Sequence, residues 1–410
     1  MMSILKNSKK YLLIIFFIIS ICTLLISAFG QTLIYVSANS TIDNQNNLHD
    51  KNIEMELEEL IKGQLNELDL TELQNYINSL QNTSNESIID RLMNYIKGEG
   101  VDYEAFGKEL LKIILWKMEE LLPSFLCMLS ITLLIGFISM LRSMSVGNSV
   151  GDIIFLIGFV AMLIPILSVL TTAIEQTFAC IKTLQKQMQL IFPLILTLMA
   201  VSGGTVSVAV VRPAVAFFSS GIIALITNVV LPLTIIIIAF SIAGNLSREL
   251  KINKFTQFFK SINKWVIGIS ISVFSLFITM QGITTASYDG IMRRAAKYAI
   301  GNGVPIIGGF LSGGFDLAVA GSFLIKNSLG NMGIFLMISV VLEPFVLLLS
   351  LNLLFRLVSA ITQPIGDNRI SDFLEETANN LNYCTASILF VAFLYFLSII
   401  LMVCMSEVFF

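Results

Sequence analysis

LLPSFLCMLSITLLIGFISML, residues Leu121–Leu141, runs for twenty-one positions without a charge. A helix rises 1.5 Å per residue, so about 20 apolar residues cross the roughly 30 Å of hydrocarbon in a bilayer. A core helix of a soluble protein is instead interrupted by polar positions every turn. Seven further runs share the same pattern: Ile153–Leu170, Ile191–Val211, Ala214–Ala243, Trp265–Thr285, Val304–Ile325, Met332–Val358 and Thr385–Met405. The predicted fold is all-α, a polytopic integral membrane protein. Ser202-Gly203-Gly204-Thr205 interrupts one run and glycine fills another, so the expected count is seven or eight transmembrane helices.

Composition agrees. The 410 residues are 55% hydrophobic and 13% charged, with mean hydropathy +0.83, which excludes a string of ordinary soluble domains.

Upstream, Lys6, Lys9 and Lys10 precede the apolar stretch Tyr11–Phe29, and Val36-Ser37-Ala38 places small residues where a signal peptidase cuts. Residues 1–38 read as a signal peptide or an uncleaved signal anchor. In either form the positive charges hold the start in the cytoplasm and the chain beyond Ala38 lies outside.

Residues 39–120 are the expected extracytoplasmic segment, small, acidic and helical. They hold seventeen acidic and seven basic residues, a balance of −10 that is unsuited to nucleic acid. Ile53, Leu57, Leu60, Ile61, Leu65 and Leu68 recur at helical spacing. A second helix is expected over Glu86–Ile96 and a third from Asp102, as N-cap, toward Trp116. These helices form either a self-contained bundle or a docking surface.

Charge orients the membrane body, residues 121–410. With the first span entering from outside, Arg142, Arg212, Arg293-Arg294-Lys297 and Arg356 to Asn382 fall on the cytoplasmic side. The most basic stretch, Arg248, Lys251, Lys254, Lys260 and Lys264, falls outside under an eight-span count. Its interleaved Phe255, Phe258 and Phe259 predict an amphipathic helix on an anionic membrane surface, which conflicts with that count.

The glycine-rich segment 301–330 reads GNGVPIIGGFLSGGFDLAVAGSFLIKNSLG. Gly308, Gly309, Gly313 and Gly314 permit close helix approach or a broken backbone, which at membrane depth must be buried or line a wet cavity. Asp316 and Lys326 either reach an interface or are paired inside. Glu343-Pro344 predicts a kink with a carboxylate bonded to a neighbouring helix; a proton relay through Glu343 and Asp316 is the sharper alternative.

No catalytic constellation emerges. The lone histidine, His49, stands beside Asp50 in a polar stretch, and Cys22, Cys127, Cys180, Cys384 and Cys404 include no close pair. Tyr288-Asp289 and Ile365-Gly366-Asp367 resemble an intramembrane aspartyl protease only faintly, because Pro364 stands where that motif has glycine. No phosphate-binding loop occurs, so no cofactor is expected and the chain reads as a non-enzyme.

The run Pro305-Ile306-Ile307-Gly308-Gly309-Phe310-Leu311-Ser312-Gly313-Gly314-Phe315-Asp316, then Lys326-Asn327, Leu342-Glu343-Pro344 and Pro364-Ile365-Gly366-Asp367, resembles the stage III sporulation protein AE family. The resemblance implies a multi-pass protein of the mother-cell membrane surrounding the forespore. It also implies membership of the channel or secretion apparatus that sustains the forespore after engulfment. Partners implied are the other stage III sporulation A proteins, including an ATPase, and indirectly stage II sporulation protein Q. Gly308, Gly309, Gly313, Gly314, Asp316, Lys326, Glu343, Pro344, Gly366 and Asp367 become the candidate structural or pore positions, with no chemical role carried over. The rival reading is a free-standing secondary transporter with broken midplane helices near Ser202-Gly203-Gly204 and Gly308–Gly314.

Overall fold

The structure, a computed structural model, describes residues 49–80, 87–97, 103–142, 148–246, 252–284, 295, 297–298, 308–364 and 368–404. The proposed signal segment, the basic pair Arg248 and Lys251, and Gly366-Asp367 lie outside them. The chain divides into two compact units, Met1–Glu59 and Leu60–Phe410. The second unit holds the five long apolar helices found among the described residues.

Every regular element among the described residues is helical. They are α1 (His49–Glu67), α2 (Thr71–Leu80), α3 (Ile88–Ile96), α4 (Tyr103–Arg142), α5 (Asn148–Val201), α6 (Thr205–Leu246), α7 (Asn253–Thr284), α8 (Gly308–Thr362) and α9 (Asn368–Cys404). Five of the described helices are long and apolar enough to cross a membrane: α4, α5, α6, α8 and α9.

Two rods dominate. α5 has 54 residues and α8 has 55, each about 80 Å long, far more than one bilayer requires. This corrects the segmentation drawn from hydropathy. Ile153–Leu170 and the start of Ile191–Val211 belong to one continuous helix, and the described part of Val304–Ile325 is continuous with Met332–Val358. The eight apolar runs therefore do not each form a separate helix. The polar middles that looked like loops are helical because each has an apolar stripe to bury. In α5, Ala173, Cys180, Ile181, Leu184 and Met188 are buried while Glu175, Lys182 and Lys186 are more open to solvent.

The break at Ser202-Gly203-Gly204 is present where the sequence puts it. Gly203 adopts φ 87°, the left-handed conformation that side chains resist. Gly204 N–H reaches back to Met199 C=O at 2.8 Å and Gly203 N–H to Ala200 C=O at 3.1 Å, the paired bonds that close a helix C-terminus. Beyond it α6 restarts at once and contains two wide π-helical stretches, Phe217–Ile222 and Ile226–Val230. The first presents Phe218 edge-on to Phe274 and Phe277 of α7, with ring centroids 4.9 and 4.8 Å away.

The rods share one long core. α8 packs antiparallel to both α5 and α9, and α4 lies in the seam between α5 and α8. At one end Ser359 meets Ser371, Phe159 meets Phe373, and Ile135 of α4 fills the space above Gly158. Toward the other end Lys326 meets Val403. α6 and α7 lean on α9, through Asn380 to Ser241 at 3.0 Å and Lys260 to Glu376 at 2.6 Å.

That arrangement places the described part of the basic stretch at one end of the rods. Lys260 stands at the same end as Ser359, Arg356 and the close of α4 at Arg142, because Glu376 joins it to the opening of α9. The stretch is also no separate surface helix from Asn253 onward: α7 runs unbroken through Trp265 to Thr284.

The predicted helices of the acidic segment are present as α1, α3 and the start of α4, together with α2, which hydropathy did not single out. Ser87 caps α3, its Oγ accepting from Ile89 N–H at 3.3 Å. The third helix does not stop at the membrane boundary, since α4 continues through Pro123 to Arg142.

Candidate functional site

The candidate charges of α8 do not converge. Asp316, Lys326 and Glu343 are spread along one helix, and 27 positions separate the two carboxylates, about 40 Å of rise. A direct relay between Asp316 and Glu343 has no geometric basis.

Each has its own partner instead. Asp316 is exposed and accepts from Lys297 at 2.6 Å. Lys326 is fully buried; its ammonium donates to Val403 C=O at 2.7 Å and lies 4.8 Å above the Phe323 ring. That carbonyl is one of the last four of α9, which lack partners within their own helix, so the lysine caps it from the side.

Glu343 is half exposed and bonds Lys117 of α4 at 2.9 Å. Lys117 also bonds Glu120 at 2.9 Å and is itself only 2% exposed, with the Trp116 ring 4.5 Å from its ammonium. The neighbouring Pro344 is buried and stays within the helix.

The backbone of Gly308, Gly309, Gly313 and Gly314 is helical from its first turn. Close approach is required further along. A Cβ on Gly330 would stand 2.7 Å from Val403 Cγ2, and one on Gly333 would stand 2.9 Å from Ile399 Cδ1. α8 and α9 therefore meet so closely that a larger residue at either position requires a neighbouring side chain to shift.

Two polar groupings escaped the sequence reading. In the middle of the bundle Tyr76 of α2, Gln187 of α5 and Tyr395 of α9 are drawn together; Gln187 Nε2 donates to Leu336 C=O at 3.3 Å. Burial raises the Tyr76 phenol above its ordinary pKa, so it stays protonated.

Near the α9 opening, Arg356 donates to Asn352 at 2.9 Å and Asn379 at 2.8 Å, and Asn352 donates to Ala378 C=O at 2.6 Å. Glu376 ties in Lys260 and Asn245, and Asn263 donates to Thr234 at 3.0 Å. The signal for this grouping was available: Asn379-Asn380 and Asn382 repeat at helical spacing just before an apolar run. Such a ladder fixes the register of four rods, since a one-residue slip would strand its members unpaired.

The arrangement can hold helices together and order their ends. Among the described residues no group of three or more His, Cys, Asp or Glu side chains is placed to hold a metal.

The sequence profile of the stage III sporulation protein AE family matches residues 87–406, from the opening of α3 to the end of α9. A relative, stage III sporulation protein AE of Bacillus subtilis (strain 168), is 27% identical over 269 residues, covering 66% of this chain and 67% of its own length. No solved structure matches the chain. With the profile spanning the rods, the glycines between α8 and α9 and the Lys117–Glu343 pair, the chain belongs to the stage III sporulation protein AE family.

Proposed function

We propose that this protein is a membrane component of the apparatus built between mother cell and forespore, required for endospore development after engulfment. The observation that carries the reading is the family match over residues 87–406, which takes in all five long apolar helices. In this reading the protein resides in the mother-cell membrane around the forespore. It works with other stage III sporulation A proteins, an ATPase among them, and indirectly with stage II sporulation protein Q. It is not an enzyme: the energy comes from the ATPase, and this chain contributes the membrane body of a channel or secretion complex.

The orientation comes from charge. Gathering Lys254, Lys260, Arg356 and Arg369 at the end where α4 closes favours that end in the cytoplasm. The acidic segment then faces the space between the membranes, after an N-terminal signal segment. The count of seven or eight crossings gives way here to one crossing per long helix.

A free-standing transporter with two broken midplane helices is disfavoured. Its first break exists at Ser202-Gly204, but α8 is unbroken from Gly308 to Thr362, so the second break expected at Gly308–Gly314 is absent among the described residues.

The test is a clean deletion in the source organism, complemented by the intact gene. Normal vegetative growth with a loss of heat-resistant spores and arrest after engulfment is the expected result. Wild-type spore yield from the deletion strain would sink the proposal.

A further inference from the structure

The outward faces of three long rods change character part-way along. On α5 the exposed side chains up to Leu167 are apolar: Leu156, Ile157, Val160, Ile164 and Leu167 itself. Beyond Ser168 the exposed set includes Thr171, Glu175, Lys182, Lys186, Gln189 and Thr197. Its apolar members are Ala179, Pro193 and Val201, while Ile191, Phe192, Ile195 and Leu196 point into the bundle.

α8, running the opposite way, makes the same change in reverse. Its first part exposes Asp316, Asn331, Ser339 and Glu343, with Leu324 among them; its second part exposes Leu349, Leu353, Leu357 and Ala360. On α4, Lys108, Lys112, Glu119 and Glu120 are exposed among Leu111, Leu115, Trp116 and Met118, whereas no exposed residue from Leu122 to Phe137 is charged.

The three changes share one level. Glu343 bonds Lys117, half a turn from Glu119, and Cys180 Sγ lies 3.7 Å from Val340 C=O. Glu175 is therefore about 8 Å of helix rise from the level of Val340. Hydrocarbon tolerates an uncharged face and rejects a charged one, so a coincident change on three rods marks its edge. Trp116 and the interleaved lysines and leucines of α4 suit the headgroup region, where indole rings and lysine stems are both accommodated.

The position of α1–α3 identifies the wet side of that edge. Gln64 of α1 donates to Ala318 C=O at 3.0 Å, Ser328 donates to Leu92 C=O of α3 at 2.9 Å, and Lys186 lies 5.4 Å from the Tyr76 ring of α2. The outer faces of α1 and α2 carry Lys62, Asn66, Glu67, Glu72, Asn75 and Asn78, all exposed. Those groups require water, so α5 and α8 at that level stand in water on this side.

The apolar end of α9 reaches the same level, since Lys326 bonds Val403 C=O. This is no contradiction. No residue from Thr377 to Val403 is exposed, because α8, α5, α6 and α7 surround the helix. Its apolar character is satisfied by protein and needs no lipid.

On the side of α7 the uncharged band is displaced toward the acidic segment. Up to Lys264 the exposed positions include Lys254, Gln257, Ser261 and Lys264 beside Phe255 and Phe258; beyond it they include Trp265, Ile269, Val273 and Leu276 and no charge. Lys260 at Glu376 and Phe274 beside Phe393 put this change near the polar opening of α9 and the band itself along its apolar run. A band that climbs across the molecule is what a tilted bundle presents.

We infer that the bundle crosses the bilayer tilted, and that on the α4, α5 and α8 side the hydrocarbon ends at the level of Glu119, Glu120 and Glu343. Beyond that edge about 40 Å of α5 and about 50 Å of α8 stand in water with α1–α3 as a stalk. Thr197 and Ser339, which hydropathy places inside the apolar runs Ile191–Val211 and Met332–Val358, are then aqueous. The inference depends neither on the role in sporulation nor on which face is cytoplasmic.

The experiment uses the full chain in nanodiscs of phosphatidylethanolamine and phosphatidylglycerol, where both membrane faces are open. Single cysteines are placed by Lys182→Cys, Thr197→Cys, Ser339→Cys, Ile164→Cys and Leu353→Cys in a background with the five native cysteines replaced by alanine. Each is treated with a sulfonated maleimide, and circular dichroism checks helicity. The first three are expected to react at least tenfold faster than the last two. Thr197→Cys and Ser339→Cys reacting as slowly as Ile164→Cys would overturn the inference. If the cysteine-free background does not fold, depth is read from tryptophan fluorescence quenched by brominated lipids. Trp265→Phe then reports Trp116, and Trp116→Phe reports Trp265. Both are expected to be quenched more by bromines near the headgroup than by bromines near the chain ends. Strongest quenching of Trp116 by the chain-end bromines would place the hydrocarbon edge elsewhere and overturn the inference.

Discussion

Lys117 and Glu343 join α4 to α8 at 2.9 Å, and the two are unequal partners: the lysine is 2% exposed and the glutamate 50%. The ammonium has given up nearly all its water and depends on its carboxylates, while the glutamate keeps access to solvent. Removing the lysine and removing the glutamate are therefore different experiments.

Glu343→Gln leaves Lys117 with Glu120 and is expected to cost less than about 1 kcal/mol, because an exposed carboxylate is well screened. Glu120→Gln combined with Glu343→Gln strands the buried ammonium and is expected to cost about 3 kcal/mol. Thermal unfolding in detergent, comparing the single and double variants, checks the asymmetry; additive small losses would contradict it.

Lys326→Met keeps the apolar stem and removes the donor to Val403 C=O. The expected loss is about 1 kcal/mol for a part-buried carbonyl left without its partner. Amide hydrogen exchange should rise at the C-terminal turn of α9 and not at its opening near Phe373.

Gly330→Val thrusts side-chain atoms into Val403, and a cost of about 1–3 kcal/mol or more is expected from overpacking. Gly268→Ala is the control. No atom lies within 4 Å of a Cβ built there, so the gain in helix propensity, about 0.5–1 kcal/mol, is left to act alone. Equal effects of the two substitutions on the melting temperature would refute the close α8–α9 approach.

Lys260→Ala and Glu376→Ala form a double-mutant cycle across the α7–α9 contact. Both side chains are only partly exposed, and a coupling of about 1 kcal/mol that shrinks as salt is raised is expected. A coupling of zero would mean that the apolar contacts alone hold α7 in place.

The sequence determined the membrane class and the all-helical content, because the length of an uncharged run and the thickness of hydrocarbon are both local quantities. It also determined the break at Ser202-Gly204, since a left-handed backbone is a property of one residue. It exposed the glycines, lysine and glutamate of α8 as unusual, but it could not say what they face. Only the tertiary structure decided that Gly330 and Gly333 form the close contact and that Lys117 answers Glu343. It alone decided that Asp316 and Glu343 stay apart. The continuity of α5 and α8 was decided at the same level. A falling hydropathy marks a loop when the segment is alone, yet the same residues stay helical when a neighbouring rod covers their apolar stripe. That cover comes from α8 and α9, residues far from α5 in the chain.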